Sequence, residues 1–495
     1  MILAIDQGTT STRAFIFDDE GRIVGTGQVE LAQYYPQPGW VEHDPEEIWQ
    51  SVLDSVKMAL KDGEVDPTGL RAIGITNQRE TTVIWDRRTG KPIHNAIVWQ
   101  DRRTAELCQK LYADGMGQDI AERTGLIIDP YFSATKIRWL LDTVDGAQKS
   151  AQLGHLAFGT VDTWLIWKLT GGAAHMTDYT NASRTMVFNI REKDWDTELL
   201  AKFNIPRSMM PQVKFSSVLF GHTKLPDLFP KPIVISGVAG DQQAALYGQY
   251  AFEPGKAKVT YGTGCFLLQH IGAKPKASKH GLLTTIAVDQ HGGPAYALEG
   301  AVFNAGSAVQ WLRDNLGIIE TTEQSEAYAT QIDSNLGVYF VPAFSGLGAP
   351  YWNARARGSV FGLTRGAARH HLIRATLESI AYQTADVLDV LTADSGKPLG
   401  ELRVDGGAAR NDFILQFQAD ITNVPVVRPA MMETTVAGAA LLAGIGAGVW
   451  KTPSQPEGLA AQDRIFEPTM TSDQRDALRD GWRRAVKAAI EFSNV

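Results

Sequence analysis

Short apolar runs that alternate with polar turns and helical segments indicate an α/β protein. The first two runs, residues 2–5 and 14–17, predict buried strands with Gly8 and four hydroxyl residues between them. This pattern predicts a β-hairpin with a polar tip. Gly8 allows close backbone approach, and the tip offers hydroxyl and N–H donors to a phosphate from Thr9, Thr10, Ser11 and Thr12.

Asp6 follows the first apolar run and adds a carboxylate to this tip. A Mg²⁺ ion that accompanies a phosphate would be held there, directly or through water. An ordinary hairpin with a Ser/Thr-rich turn is the alternative. The hairpin taken alone does not decide between the two interpretations.

The first half of the chain continues to alternate between strands and helices. Pro45 suits the first turn of a helix, and Thr89–Gly90 suits the turn of a second hairpin. We predict strands over residues 22–31, 70–76, 81–86, 93–99 and 232–238, and helices from Pro45 and over residues 103–112, 133–141 and 161–168.

Two strand ends in this half carry charged residues. Arg79 and Glu80 follow the strand over 70–76, where they form either a surface ion pair of little energetic value or a pair directed into a cleft. Asp241 follows Gly240 at the position of a helix N-cap, and capping alone would explain an aspartate there.

The second half repeats the theme of the first. Residues 257–260 and 265–271 predict another hairpin with Gly262–Thr263 at its tip, and helices are predicted over 303–313 and 371–391. A third glycine turn, Asp405–Gly406–Gly407, precedes an amphipathic helix from about Asn411, which favours an anion or a nucleotide. We therefore predict two related α/β domains, residues 1–250 and 251–495.

Length and composition agree with two domains and exclude several classes of protein. A chain of 495 residues exceeds what one hydrophobic core usually serves, and a cleft between two domains is the default site. With 44% hydrophobic residues, 21% charged residues and a net charge of −8, neither a disordered chain nor a nucleic-acid-coating protein is expected. The adjacent arginines, Arg87–Arg88 and Arg102–Arg103, are interpreted as solvated surface.

Cysteine content and the apolar segments indicate a cytoplasmic protein. The two cysteines, Cys108 and Cys265, cannot form a disulfide framework or a cysteine-based zinc site. The chain begins on its first strand without a basic or apolar leader, so we expect no export. Residues 436–450 are nearly all apolar but are shorter than the roughly 20 residues that span a bilayer, so a buried helix is expected.

Familiar nucleotide and metal motifs are missing from the sequence. It contains no GxxxxGK[ST], GxGxxG, HExxH or CxxC pattern, so the P-loop, Rossmann and zincin interpretations lose their main support. Two Gly–Thr hairpins and one Gly–Gly turn remain as the candidate phosphate-binding site.

Ten segments, in the same order and over nearly the whole chain, resemble the glycerol-phosphorylating members of the FGGY family of carbohydrate kinases. They are IDQGTTSTRAF, ITNQRETT, IDPYFSATKIRWLLD, FGTVDTWLIWKLTG, DYTNASRTMVFNI, AGDQQAALYGQ, YGTGCF, ALEGAVFNAGSAVQWLRD, PAFSGLGAPYW and RVDGGAARNDFILQFQADI. The resemblance implies two duplicated ribonuclease-H-like domains, as in actin, Hsp70 and hexokinase, with a cleft between them.

The resemblance also implies a glycerol site. Trp99 and Phe266 would form its apolar wall, and the three hydroxyls of glycerol would be held by Arg79, Glu80, Tyr131, Asp241 and Gln242. A site that hydrogen-bonds a hydroxyl rejects analogues without it by roughly 10⁴-fold.

ATP and Mg²⁺ are the implied cofactors, and sn-glycerol 3-phosphate is the implied product. Asp241 would be the general base, and Asp6 and Asp241 would hold Mg²⁺. The nucleotide and its phosphates would be bound by Thr9, Thr10, Ser11 and Arg13 from the first domain and by Thr263, Gly306, Gln310, Gly407 and Asn411 from the second. Closure of the cleft would exclude water.

The resemblance further implies a homo-oligomer, either a dimer or a tetramer, that binds glycerol and ATP or ADP but neither nucleic acid nor membrane. Another sugar or polyol kinase of the family would keep the phosphate turns and change Arg79, Glu80 and Gln242. An actin- or Hsp70-like nucleotide switch would share the fold and lack a polyol pocket.

Two regulatory segments of some family members are altered in this chain. Residues 220–232 replace a loop that binds fructose 1,6-bisphosphate, and residues 467–476 lack the acidic pattern that binds a sugar-transport regulator. His222 is a lone loop histidine outside the context phosphorylated in other members. We expect none of these controls.

We predict that millimolar fructose 1,6-bisphosphate leaves the glycerol-dependent rate almost unchanged. Residues 220–232 contain no arginine that could bind a phosphate with two hydrogen bonds. At physiological salt, the charges of Lys224 and Lys231 are screened over about 8 Å, so each would attract a phosphate only weakly. Initial rates with and without the bisphosphate test this. Inhibition that persists at raised salt and disappears in Lys224→Ala would contradict it.

Overall fold

Two large mixed sheets form the framework of the computed structural model, which describes residues 1–493. The strands, in chain order, are β1 (Ile2–Gln7), β2 (Ser11–Phe17), β3 (Ile23–Glu30), β4 (Glu42–His43), β5 (Ala72–Asn77), β6 (Val83–Asp86), β7 (Ala96–Ile97), β8 (Leu156–Gly159), β9 (Met176–Asp178), β10 (Phe188–Asn189), β11 (Asp194–Trp195), β12 (Gln212–Lys214), β13 (Ser217–His222), β14 (Val234–Gly240), β15 (Ala257–Tyr261), β16 (Cys265–Gly272), β17 (Leu283–Val288), β18 (Pro294–Val302), β19 (Tyr339–Val341), β20 (Ser359–Phe361), β21 (Leu402–Asp405), β22 (Val426–Pro429) and β23 (Gln462–Phe466).

Helices cover and connect these sheets. They are α1 (Pro45–Asp62), α2 (Ala105–Ala113), α3 (Gly117–Thr124), α4 (Ser133–Thr143), α5 (Ala147–Gln152), α6 (Val161–Leu169), α7 (Tyr179–Ala182), α8 (Thr197–Lys202), α9 (Asp241–Gly248), α10 (Gly306–Asp314), α11 (Gln324–Thr330), α12 (Arg369–Ser395), α13 (Asp412–Thr422), α14 (Thr434–Gly446), α15 (Glu457–Ala460) and α16 (Ser472–Phe492).

The first sheet has the strand order β13-β14-β5-β1-β2-β3. The predicted hairpin is its centre, because β1 pairs antiparallel with β2 and parallel with β5, which in turn pairs parallel with β14. In this register Gln7, Asn77 and Gly240 stand side by side. The carboxyl ends of three parallel strands therefore meet at one edge of the sheet.

The second sheet repeats this arrangement in the order β17-β18-β16-β15-β21-β22-β23. Its hairpin is β15 paired antiparallel with β16, and β15 lies parallel to β21 with Thr260 opposite Asp405. The predicted glycine turn after β21 forms a 3-10 turn over Gly407–Arg410, and Asn411 caps α13 by accepting from the Ile414 N–H at 3.0 Å. Both sheets thus present polar turns at corresponding ends.

The predicted hairpin over residues 81–99 is only partly correct. The chain does reverse at Gly90, and single bridges join Thr82 to Ile97 and Trp85 to Pro92. The extended ladders are instead formed by β6 with β8 and by β7 with β4. Local periodicity predicted the strands, but their partners come from distant parts of the chain.

The interpretation of Arg103 as solvated surface was wrong. Its side chain is fully buried and forms ion pairs with Glu42 and Asp101, each at 2.8 Å. The guanidinium group also lies over the rings of Trp40 and Trp139. Two carboxylates and two aromatic faces compensate the desolvation of this arginine.

Helix α14 comes from the second half of the chain but packs on the first sheet. Its apolar residues join a core that contains Ile2, Phe17 and Ala72, and the Ser236 hydroxyl donates to the Ala443 carbonyl at 2.8 Å. This helix is the apolar segment that the sequence predicted to be buried. Within residues 1–493, no helix is long and apolar enough to cross a membrane.

Glycines allow α14 and α9 to approach until their backbones touch. A Cβ atom at Gly438 would overlap the carbonyl oxygen of Ala244, and one at Gly248 would overlap that of Thr434. The sheet below is equally close, because a Cβ atom at Gly74 would overlap the carbonyl oxygen of Ala439. The position of α14 is therefore fixed by backbone contacts.

We predict that Gly438→Ala lowers the melting temperature, although alanine normally stabilises a helix relative to glycine. The added methyl would force α14 and α9 apart, and overpacking of this kind costs about 1–3 kcal/mol. Gly117→Ala in α3 is the matched control, because its Cβ would make only ordinary contact with Tyr112 at 3.5 Å. Equal melting temperatures for both variants would contradict the close packing.

Candidate active site

The strand ends of the first sheet bring the predicted polar residues to one edge. Asp6 lies on β1 beside Gln7, Arg79 and Glu80 follow β5, and Asp241 follows β14. Because β1, β5 and β14 are parallel and adjacent, these side chains emerge at the same end of the sheet. The sequence had separated them by as much as 235 positions.

Arg79 and Glu80 are buried, so the interpretation as a surface ion pair was wrong. Each side chain is only 2% exposed. Arg79 donates to Glu299 of β18 at 2.6 Å, while Arg184 donates to Glu80 at 2.7 Å and to Glu299 at 3.0 Å. We call these four residues the charge cluster.

The charge cluster is electrically balanced, with two arginines and two carboxylates. Burial disfavours ionisation of Glu299, but Arg184 and Arg79 outweigh burial and lower its pKa to about 2. Burial likewise disfavours the charge on Arg79, yet Glu299 and Glu80 raise its pKa well above the usual value. Arg79, Arg184 and Glu299 therefore stay ionised, and Glu299 is contributed by the second sheet.

Asp241 lies beside the charge cluster but is not an N-cap. Gly240 is the N-cap residue, and Asp241 is the first residue of α9. A Cβ atom at Gly240 would press on the side chain of Arg79, which favours glycine at this position. Its carboxylate lies 3.1 Å from Arg79 Nε and accepts from the Gln242 N–H at 2.6 Å. A third of the side chain meets solvent, but desolvation by the surrounding protein raises its pKa to about 6, against the opposing effect of Arg79.

Two aromatic side chains, Tyr131 and Trp99, line the same region. The Tyr131 hydroxyl accepts from Arg79 Nη2 at 3.3 Å, and the Tyr131 ring meets Trp99 edge-on with centroids 5.6 Å apart. Trp99 Nε1 donates to the Thr9 hydroxyl at 2.9 Å, which links this wall to the first hairpin tip. Phe266 is half-buried on β16 of the second sheet.

The first hairpin tip carries most of the predicted phosphate residues, but the prediction for Thr12 was wrong, because it is buried on β2 with its hydroxyl 2.7 Å from that of Ser51. Thr9 and Ser11 are partly exposed and Thr10 is exposed, so their donors are open to solvent. Arg13 donates to Asp6 and to Glu433, each at 2.5 Å. The guanidinium group is therefore held between two carboxylates, and Glu433 is also the residue that precedes α14.

All five nucleotide residues predicted in the second domain line one cavity of about 450 Å³. The hairpin tip and the start of α10 touch there, since the Gly306 N–H donates to the Gly262 carbonyl at 3.0 Å. A Cβ atom at Gly407 would meet only open space. The predicted residues on the cavity wall are Thr263, Gly306, Gln310, Gly407 and Asn411.

Several residues of the site were missed from the sequence. Glu299 and Arg184 complete the charge cluster, and Lys136 donates to the carbonyls of Glu80 and Tyr131 at 3.2 and 2.7 Å. Lys258 is buried on β15 and contacts Gln242. A charged residue inside an otherwise apolar strand is the signal that could have identified Glu299 and Lys258.

The chain is similar to known proteins over nearly its whole length. Models of the FGGY family of carbohydrate kinases match residues 1–248 with the N-terminal domain and residues 257–447 with the C-terminal domain. A glycerol kinase of Petrotoga mobilis is 56% identical, over 99% of this chain and 98% of that protein. The crystal structure of Plasmodium falciparum glycerol kinase with ADP is 40% identical, with a TM-score of 0.93 over 99% of this chain and 98% of that one.

A more distant structure shares the fold alone. Xylulose kinase from Lactobacillus acidophilus is 24% identical, with a TM-score of 0.88 over 98% of this chain and 97% of that one. Together the structural matches confirm the predicted α/β fold with two domains.

We predict that Gly407→Val weakens ADP binding by about tenfold or more while glycerol binding stays nearly intact. The valine side chain would occupy space in the cavity that a bound nucleotide would need. Calorimetric titration with each ligand measures both affinities. Gly400→Val is the control, because Gly400 is also unobstructed but does not line the cavity. Equal weakening of both ligands would indicate a folding defect instead.

Proposed function

Because the chain belongs to the FGGY family of carbohydrate kinases, we propose that it transfers the γ-phosphoryl group of ATP to glycerol and forms sn-glycerol 3-phosphate. The relatives named glycerol kinase match nearly the whole chain at 56% identity. The observation that carries the proposal is the carboxylate of Asp241 beside Arg79, Glu80 and Tyr131 at the edge of the first sheet.

The charge balance of the site suits a neutral triol. The charges of Arg79 and Arg184 are cancelled by those of Glu80 and Glu299, so a substrate need not bring a charge of its own. We propose that Arg79, Tyr131 and Gln242 supply donors to the hydroxyls, while Glu80 and Asp241 accept from them. Trp99 and Phe266 would cover the carbon chain.

Asp241 has the properties of a general base for this reaction. It would accept the proton of the attacking hydroxyl while that oxygen bonds to the γ-phosphorus and the bond to the bridging oxygen of ADP breaks. A base is most effective when its pKa lies near the working pH, and burial raises the pKa of Asp241 to about 6. Its contact with Arg79 Nε keeps the carboxylate oriented.

The donors at the two hairpin tips suit the phosphates of ATP. Thr9, Thr10 and Ser11 would contact them from the first domain, with Arg13 exchanging a carboxylate partner for a phosphate oxygen. From the second domain, the residues that line the cavity would hold the nucleotide: Thr263, Gly306, Gln310, Gly407 and Asn411.

The carboxylates fit the usual needs of Mg²⁺. Residues 1–493 contain no group of three His, Cys, Asp or Glu side chains that could form a protein cage for a metal. Mg²⁺ normally needs only one or two carboxylates, together with water and substrate phosphates. We propose that Asp6 and Asp241 supply them, and the bound ion would neutralise charge on the phosphate oxygens.

Three further features belong to the proposal. We divide the chain into domains near residue 250, with the polyol and phosphate residues mostly before it and the nucleotide residues after it. The protein would act in the cytoplasm as a homo-oligomer, either a dimer or a tetramer. Sedimentation velocity would establish the oligomeric state.

ATP turnover with a panel of polyols tests the proposed function. Glycerol, dihydroxyacetone, erythritol and xylulose are compared at equal concentration, with ADP formation as the readout. Glycerol should give the highest kcat/KM. Preference for erythritol or xylulose would identify another polyol or sugar kinase, and turnover independent of every polyol would indicate a nucleotide switch.

We predict that Asp241→Asn lowers kcat by roughly 10²- to 10⁴-fold without unfolding the protein, because the amide cannot accept the proton. In the unchanged protein, kcat/KM should fall about tenfold per pH unit below pH 6, where Asp241 becomes protonated. Initial rates across pH and circular dichroism provide the measurements. Near-normal kcat in folded Asp241→Asn would contradict the assignment.

A further inference from the structure

Lys258 is a buried lysine of the second sheet that contacts the candidate active site. It is the charged residue of β15, and its side chain is fully buried. Its ammonium group donates to the side-chain carbonyl oxygen of Gln242 and, at 2.7 Å, to the Thr260 hydroxyl. Gln242 directly follows Asp241 on α9. Lys258 therefore connects the second sheet to the neighbour of the proposed base.

An ammonium group determines which way a side-chain amide faces. Protonated lysine has three donors and no acceptor, so only the carbonyl half of Gln242 can accept from it. The NH₂ half of the same amide is left to donate elsewhere. Gln242 is only 9% exposed, and rotation of its amide would place NH₂ against the ammonium group, so the orientation is strongly favoured.

The lysine keeps its charge at neutral pH. Burial lowers the pKa of Lys258 to about 8, while Asp405 and Asp241 favour the charged form and Arg79 opposes it. Because this value lies above 7, most of the molecules carry an ammonium group. The bond to Gln242 is then charge-assisted and stronger than a bond between neutral groups.

We propose that Lys258 is a positioning residue for the polyol site. By binding the side-chain carbonyl oxygen of Gln242, it leaves the NH₂ group of that amide to donate to a glycerol hydroxyl. The inference rests on the proposed function, because Gln242 is assigned to glycerol there. Asp241 accepts a proton from one hydroxyl, and Gln242 donates to another. Adjacent residues thus impose opposite hydrogen-bonding roles on the substrate.

Because Lys258 comes from the second domain, the donor role of Gln242 depends on that domain. Gln242 belongs to α9, which follows the first sheet, whereas Lys258 belongs to the hairpin strand that leads to Thr263 at the nucleotide cavity. The donor role of Gln242 is therefore enforced only while the two sheets keep this relative position.

Lys258→Met tests the inference, because it removes the donors and keeps a long side chain. The KM for glycerol should rise about tenfold, as expected for loss of a well-placed donor, while the KM for ATP stays within about twofold. Lys258→Gln retains an amide donor and should recover part of the glycerol affinity. Lys256→Met is the matched control, since Lys256 bonds Glu401 at 2.9 Å and should leave both KM values unchanged.

A double-mutant cycle with Gln242→Ala separates positioning from a general structural effect. If Lys258 acts through Gln242, Lys258→Met should cause no further rise in the glycerol KM once Gln242 is alanine. Additive effects would overturn the inference. So would equal losses of glycerol and ATP affinity with a lower melting temperature, which indicate a structural role.

The activity of the unchanged protein keeps the inference distinct from the proposed function. If that protein phosphorylates glycerol and the cycle is additive, only the role of Lys258 is wrong. If it prefers another polyol of the panel, the proposed substrate is wrong and the same cycle is run with the preferred polyol. Calorimetric titration without ATP provides a second measurement of polyol affinity for each variant.

Discussion

The charge cluster of Arg79, Arg184, Glu80 and Glu299 is the contact on which both the site and the junction of the two sheets depend. Ionised groups lose several kcal/mol of solvation when they are buried, and only good geometry with opposite charges restores it. Each arginine here meets a carboxylate at 2.6–3.0 Å, and Glu299 meets both arginines. Removing one member would leave the others uncompensated, at a cost of about 3–5 kcal/mol. The four residues therefore act as one unit, three from the first half of the chain and one from the second.

Two of the contacts between the halves of the chain differ in kind. At one place α14 lies backbone to backbone against α9 and the first sheet, with glycines in place of side chains. At the other, charged side chains of β15 and β18 contact the residues that follow β5 and β14. The first contact has close shape complementarity and no charge, whereas the second is highly polar. The residues proposed to bind the polyol lie at the polar contact, so the packing that places α14 also bears on the geometry of the site.

The sequence predicted what depends on local pattern. Both hairpins and the glycine turn before Asn411 follow from apolar periodicity and from the placement of glycine. So does the buried helix predicted over 436–450, although that helix ends at Gly446. The pairing partners of strands and of buried charged residues do not follow from local pattern. The strand containing Trp85 was predicted but pairs mainly with β8. Arg103 was interpreted as exposed because Glu42 and the two tryptophans that it contacts lie far away in sequence. Glu299 and Lys258 were missed for the same reason, since a charge in a buried strand is explained only by the group that it meets.

The packing of α14 has a consequence for synthesis on the ribosome. The last strand of the first sheet ends at Gly240, and the helix that covers its apolar face begins at Thr434, about 200 residues later. At a synthesis rate of about 5–20 residues per second, the sheet face that contains Ile2, Phe17 and Ala72 stays uncovered for roughly 10–40 s before α14 is made. During that interval the nascent chain presents an apolar sheet surface to its surroundings.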